Sequence, residues 1–125
     1  MNIIGIIGAM DEEVDILVDL MEIEKIVEKA SLKFHKGKLE GKDIVLVKCG
    51  IGKVNAALCT QILISEFNVD AVVNTGVAGA LHSELDVQDI VISTDAIQHD
   101  MDTTAFGDKK GEIPRMETST FIADQ

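Results

Sequence analysis

The chain has 125 residues, 46% of them hydrophobic, enough for one domain with a real core and too few for two ordinary ones. A formal net charge of -11, a single arginine at Arg115 and the absence of Trp and Tyr argue against nucleic acid and other polyanions as partners. No basic leader or long apolar run opens the sequence, so a signal peptide and a membrane span are not expected, and the predicted location is the cytoplasm.

In chain order, Ile3 to Ile7 is a nearly continuous aliphatic run closed by Gly8, which predicts a strand buried on both faces. A helix from about Asp11 to Glu22 follows, with Val14, Leu17, Val18 and Met21 at helical spacing and acids in the first turn, where the helix dipole favours them. Lys33 to Leu39 and Asp43 to Cys49 flank Glu40-Gly41-Lys42 and read as an antiparallel pair joined by a glycine turn. Gly50-Ile51-Gly52-Lys53 then opens a helix from about Lys53 to Phe67. Its apolar residues, including Val54, Leu58, Ile62, Leu63 and Ile64, lie nearly all round it and predict a well-buried element. Asp70 to Thr75 and Asp89 to Ile97 are further expected strands, the first closed by Gly76-Val77-Ala78-Gly79. Strands, glycine turns and crossover helices in this order indicate an α/β fold with a mostly parallel or mixed sheet. Two helices are little cover for these strands, so the sheet calls for a partner subunit or further chain. Cys49 and Cys59 have neither zinc nor redox-pair spacing and read as two reduced, buried thiols.

The three glycine turns, Gly8-Ala9-Met10, Gly50-Ile51-Gly52 and Gly76-Val77-Ala78-Gly79, each follow a strand. If those strands are parallel, the turns gather at the carboxyl edge of the sheet, where open α/β folds bind ligands and glycine lets backbone amides approach them. None has the spacing of a phosphate cradle, and Val54 stands where a P-loop needs Ser or Thr, so a nucleotide phosphate site is disfavoured. At roughly 100° per helical residue, Asp11, Glu12, Asp15, Asp19 and Glu22 share a solvent arc, whereas Glu13 falls between Leu17 and Leu20 on the apolar side. Glu13 is therefore either a helix-capping carboxylate or a general base, favoured in its ionised form by the helix N-terminus and opposed by partial burial. His99-Asp100-Met101-Asp102 is a single histidine with two acids on a loop, and no metal site is assigned to it. The serines have no nucleophile-elbow context.

Four blocks, Ile6 to Val14, Gly50 to Ala57, Asn74 to Gly79 and His99 to Gly107, closely resemble, in order and at matching spacing, the 5'-methylthioadenosine/S-adenosylhomocysteine nucleosidase family. The resemblance implies a three-layer α/β/α fold of the nucleoside phosphorylase type with a mixed central sheet. It also implies hydrolysis of the bond between adenine and the thioribose, without a cofactor. By the same resemblance Glu13 matches the acid that activates the water, and Ala9, Met10, Ile51, Val77, Ala78 and Gly79 match positions around the ribose and the water. Phe106 and Pro114 match residues lent to a neighbouring subunit's alkylthio pocket, which implies a homodimer. Many members have serine at the position of Val77, so a hydroxyl bond is replaced here by a backbone amide alone.

Family members are nearly twice as long, which makes residues 1–125 the expected N-terminal part of a single, apparently truncated domain. The portion beyond would carry the aspartate that protonates the leaving adenine and a Met-Glu pair for the ribose hydroxyls. Met116-Glu117 lacks the pattern surrounding that pair and is not taken for it. The chain alone is then expected to be inactive. Hydrolysis is favoured over phosphorolysis, because a phosphate co-substrate wants arginine or an amide nest and no arginine precedes Arg115. A phosphorylase or other nucleosidase of the same fold and a non-catalytic nucleoside-binding or dimerising fragment remain the alternatives.

Overall fold

A computed structural model describes residues 2–124, which divide into two compact units, residues 2–79 and 80–124. The first unit runs β1 (Ile3–Gly8), α1 (Asp11–Leu20), β2 (Glu22–Lys29), β3 (Leu32–Leu39), β4 (Lys42–Lys48), α2 (Lys53–Phe67) and β5 (Ala71–Asn74). Its five strands form one mixed sheet in the order β2-β3-β4-β1-β5. The aliphatic β1 is central and parallel to both neighbours, with Ile4 opposite Ile44 of β4 and Ala71 of β5, while β2, β3 and β4 are successively antiparallel.

Alternation along β4 decides what each helix covers. Ile44 and Leu46 pack with Val14 of α1 and with Ile4 and Ile6, whereas Val45 and Val47 pack with Cys59 and Leu63 of α2 and with Ile7. The helices thus lie on opposite faces, giving the three layers of an α/β/α unit and explaining why the centre of β4, Ile44-Val45-Leu46-Val47, is apolar on both faces. Phe34 of β3 is fully buried on the α2 face and stacks on Phe67 at 4.9 Å between ring centroids. Both hairpins of the sheet close with two-residue loops in left-handed conformation, Ala30-Ser31 (φ 49° and 62°) and Glu40-Gly41 (φ 49° and 74°), the turn geometry that matches strand twist.

Four expectations change. Helix α1 ends at Leu20, because Met21 leaves the helical region (φ -78°, ψ 140°) and the chain enters β2. Strand β2 was not expected: five of its eight residues are charged, and it is held at the sheet edge by its ladder to β3 rather than by a buried face. Of the strand expected over Asp89 to Ile97, only β6 (Asp95–Ile97) forms, since Ile90, Val91 and Ile92 are exposed and have no ladder partner. Helix α2 is not buried all round, because only Cys59 and Leu63 are enclosed while Val54 is 83% exposed and Leu58 50%. Its second apolar face has nothing against it among the described residues of the first unit.

The second unit contains β6, a short 3-10 turn at Thr104–Phe106, and β7 (Thr120–Ile122), which pairs antiparallel with β6. No helix among the described residues is long and apolar enough to cross a membrane.

Cys49 and Cys59 are free and buried, as expected. Burial pushes both thiols up, Cys59 to about 11. Neither should react with a thiol reagent at pH 8 in the folded protein, whereas both should react after denaturation. Rapid titration of even one thiol before unfolding would contradict this burial.

Candidate functional site

The parallel pairing of β4, β1 and β5 brings the three glycine turns to one sheet edge, the carboxyl edge. Backbone bonds tie the turns together where they begin. The Cys49 amide donates to the Gly8 carbonyl at 2.8 Å, and the Thr75 amide donates to the Ile7 carbonyl at 2.9 Å. The turn after β1 leads directly into α1, whose cap residue Met10 is extended (φ -129°, ψ 162°), so its first turn starts beside the turn after β5.

Glu13 is the third residue of that helix and the one acid of α1 that is not fully exposed. Its Oε2 accepts hydrogen bonds from the amides of Ala9 (2.6 Å) and Met10 (3.1 Å), and its Oε1 accepts from the amide of Val77 (3.1 Å). The bond to Met10 is the return half of a helix-capping arrangement. The bond to Val77 is not, since it crosses 64 residues of sequence to the turn after β5. The same carboxylate thus closes its own helix start and bridges to the turn after β5.

These amides hold the Glu13 carboxyl below the ordinary value of 4.5. The Val77 bond is the largest cause and Ala9 the next, while desolvation opposes them and Met10 adds a smaller part. Because the folded value is depressed, the clamp stabilises the fold above the ordinary carboxylate range. That contribution is lost as pH falls through the lowered value. At neutral pH the site therefore contains a fixed anion with its oxygens oriented.

Space for this arrangement comes from glycine. A Cβ at Gly76 would stand 2.7 Å from Glu13 Oε1, and a Cβ at Gly8 would stand 3.2 Å from Glu13 Cβ and 2.6 Å from Val14 Cγ1. Neither glycine was singled out individually from sequence. The signal present was only that each glycine directly follows a strand. In the turn after β4, Gly50 (φ 85°) and Gly52 (φ 103°) take left-handed conformations that favour glycine, and the Asn55 side chain donates to the Ile51 carbonyl at 2.8 Å, bracing the turn on α2.

Of the expected site residues, Ala9, Met10 and Val77 meet at Glu13 through their backbones. Ile51 lies at the same sheet edge with its side chain 73% exposed, and Ala78 and Gly79 continue the turn after Val77, also exposed. Phe106 and Pro114 belong to the second unit, where both are exposed, Phe106 at the end of the 3-10 turn. In the histidine-acid loop, Asp102 accepts from the hydroxyl (2.7 Å) and the amide (3.1 Å) of Thr104, which lowers its carboxyl pKa.

The three-layer α/β/α unit with its mixed five-stranded sheet has the fold of the nucleoside phosphorylase-like α/β proteins. The chain belongs to the phosphorylase superfamily, whose family model matches residues 3–125. It is 51% identical to a 5'-methylthioadenosine/S-adenosylhomocysteine nucleosidase of Staphylococcus haemolyticus over 122 residues, 98% of this chain and 53% of that protein. The nucleosidase of Neisseria meningitidis, solved in complex with methylthio-immucillin-A, superposes with a TM-score of 0.92 at 43% identity, covering 99% of this chain and 53% of that one. That of Colwellia psychrerythraea, solved with adenine, gives 0.92 at 49% identity, covering 97% and 50%. The chain spans about half the length of the relatives it matches.

Proposed function

We propose that this chain supplies the water-activating half of an N-glycosyl hydrolase that releases adenine from 5'-methylthioadenosine and S-adenosylhomocysteine. Its similarity along nearly the whole chain to nucleosidases of that name supports the substrate class. The observation that carries the reaction type is the Glu13 clamp.

Departure of adenine leaves an oxocarbenium-like sugar, and the nucleophile must then be a water or a phosphate. A phosphate nucleophile would need the free amides of the carboxyl-edge turns, but three of these, from Ala9, Met10 and Val77, are already bonded to a carboxylate. An incoming phosphate would meet a fixed negative charge there. Water meets an oriented acceptor instead. A carboxylate with lowered pKa is a weak base towards free water, yet the growing positive charge on the sugar makes an attacking water more acidic. Glu13 then has only to orient that water and accept its proton as the bond to the sugar forms.

In this reading Ile51, Val77, Ala78 and Gly79 border the ribose and the water, beside Ala9 and Met10. Phe106 and Pro114 complete the alkylthio pocket of a neighbouring copy in a cytoplasmic homodimer, and the two units form parts of one nucleosidase domain. Their exposed apolar surfaces and the single family match running through both units support this arrangement. The test is adenine release from 5'-methylthioadenosine, in phosphate-free buffer made with 18O-labelled water, by the complete enzyme of which this chain supplies the water-activating half. Label in the thioribose at an undiminished rate is expected. A rate proportional to added phosphate, with a phosphorylated sugar as product, would establish the phosphorylase alternative.

A further inference from the structure

We infer that Gly76 is a positioning residue for Glu13: the absence of a side chain there sets where the carboxylate lies and keeps its oxygen on the Val77 amide. The inference rests on the reading of Glu13 as the water-activating group and deepens it.

Glycine is not required at position 76 by its backbone. Among the described glycines with left-handed φ are Gly41, Gly50, Gly52, Gly107 and Gly111, and Gly76 is not one of them. Space is the remaining constraint. A methyl on its Cα would lie 2.7 Å from Glu13 Oε1, 3.1 Å from Cδ and 3.5 Å from Oε2, so the carboxylate would have to give way. It has little room to do so. Gly8 is also close, an added Cβ there standing 3.2 Å from Glu13 Cβ and 3.6 Å from Oε2. Glu13 thus lies close to two glycines, Gly8 at the end of β1 and Gly76 in the turn after β5. The two are not equivalent, because a methyl at Gly8 also strikes the core residue Val14 at 2.6 Å, whereas a methyl at Gly76 meets nothing nearer than the Glu13 carboxyl group.

The atom nearest the added methyl, Oε1, is the one that accepts the Val77 bond at 3.1 Å. Displacement therefore breaks the link between the two turns before it disturbs the bonds to Ala9 and Met10. That link is also the largest cause of the lowered Glu13 pKa, so its loss returns the carboxyl towards the ordinary range. A carboxylate moved by about 1 Å no longer orients water along the line of attack, which costs on the order of 100-fold in rate.

The experiment compares Gly76→Ala, Glu13→Gln and the double variant in the complete enzyme of which this chain supplies the water-activating half. Gly76→Ala is expected to lower kcat on the order of 100-fold with little change in KM, to move the acid limb of the pH profile upward, and to add no further loss in the Glu13→Gln background. A wild-type kcat and acid limb in Gly76→Ala, beside an inactive Glu13→Gln, would overturn this inference and leave the function reading intact. Retained activity in Glu13→Gln would instead overturn the function reading. Should Gly76→Ala fold poorly, recovery of folding in Gly76→Ala/Glu13→Ala would support a conflict confined to the carboxylate. Misfolding in both backgrounds would overturn it.

Discussion

Glu13→Gln is expected to lower the rate of adenine release by the complete enzyme roughly 100- to 10,000-fold, the range for loss of a positioned general base. The change is nearly isosteric but does not preserve the clamp. Both carboxylate oxygens accept amide hydrogens, Oε2 from Ala9 and Met10 and Oε1 from Val77. An amide side chain can offer oxygen to only one of these sides and turns an NH2 group against the N–H donors of the other. Charge and geometry are lost together. Glu13→Ala removes the side chain and leaves three converging amides at a helix N-terminus, an arrangement that attracts small anions. Added formate should therefore restore part of the rate in Glu13→Ala and none in Glu13→Gln, where the space is filled. Equal failure of rescue in both, with the fold intact by circular dichroism, would show that the amides do not form the cradle described.

The largest expected effect on stability is at Phe34. Phe34→Ala should cost about 3–5 kcal/mol, measured as a fall in the denaturant midpoint with little change in m, because the ring is fully buried and the sheet cannot collapse into the void. The ring joins β3 to α2 through its stack on Phe67 at 4.9 Å and packs in the same cluster as Val45, Val47 and Leu63. The substitution therefore also loosens the C-terminal end of α2 at Phe67. A loss below about 1 kcal/mol would mean that this face is not the core it is taken to be.

Stability and site are coupled through β1 and β4. The residues that fill the two layers, Ile44 and Leu46 on one face and Val45 and Val47 on the other, belong to the strand whose end carries the second glycine turn. Lys48 at that end reaches Asp11 of α1 at 2.6 Å, an exposed pair of small energetic value.

The sequence by itself determined the local elements that have a strong period or unambiguous punctuation. The aliphatic β1 and β4, helix α2 over Lys53–Phe67 and the turn at Glu40-Gly41 all depend on neighbours a few residues away, and they form as read. It also separated Glu13 from its acidic neighbours, because helical rotation alone places it off the solvent arc, and Asp11, Glu12, Asp15 and Asp19 are indeed exposed while Glu13 is not. What depends on pairing was not legible. Strand β2 has mixed charges and no buried face, so only its ladder to β3 makes it a strand, and residues 89–94 are apolar enough for a strand but lack a ladder partner. The apolar second face of α2 looked like core because composition records hydrophobicity, not which neighbours are there to cover it.

The decisive contact was equally out of reach of the sequence. Whether Glu13 merely caps its helix or belongs to a site depends on the amide of Val77, 64 residues away, and on a glycine at position 76 that leaves room for the bond. Only the parallel placement of β5 against β1 brings those groups together, because a side chain's local reach spans one helical turn while a sheet joins strand ends regardless of their separation in the chain.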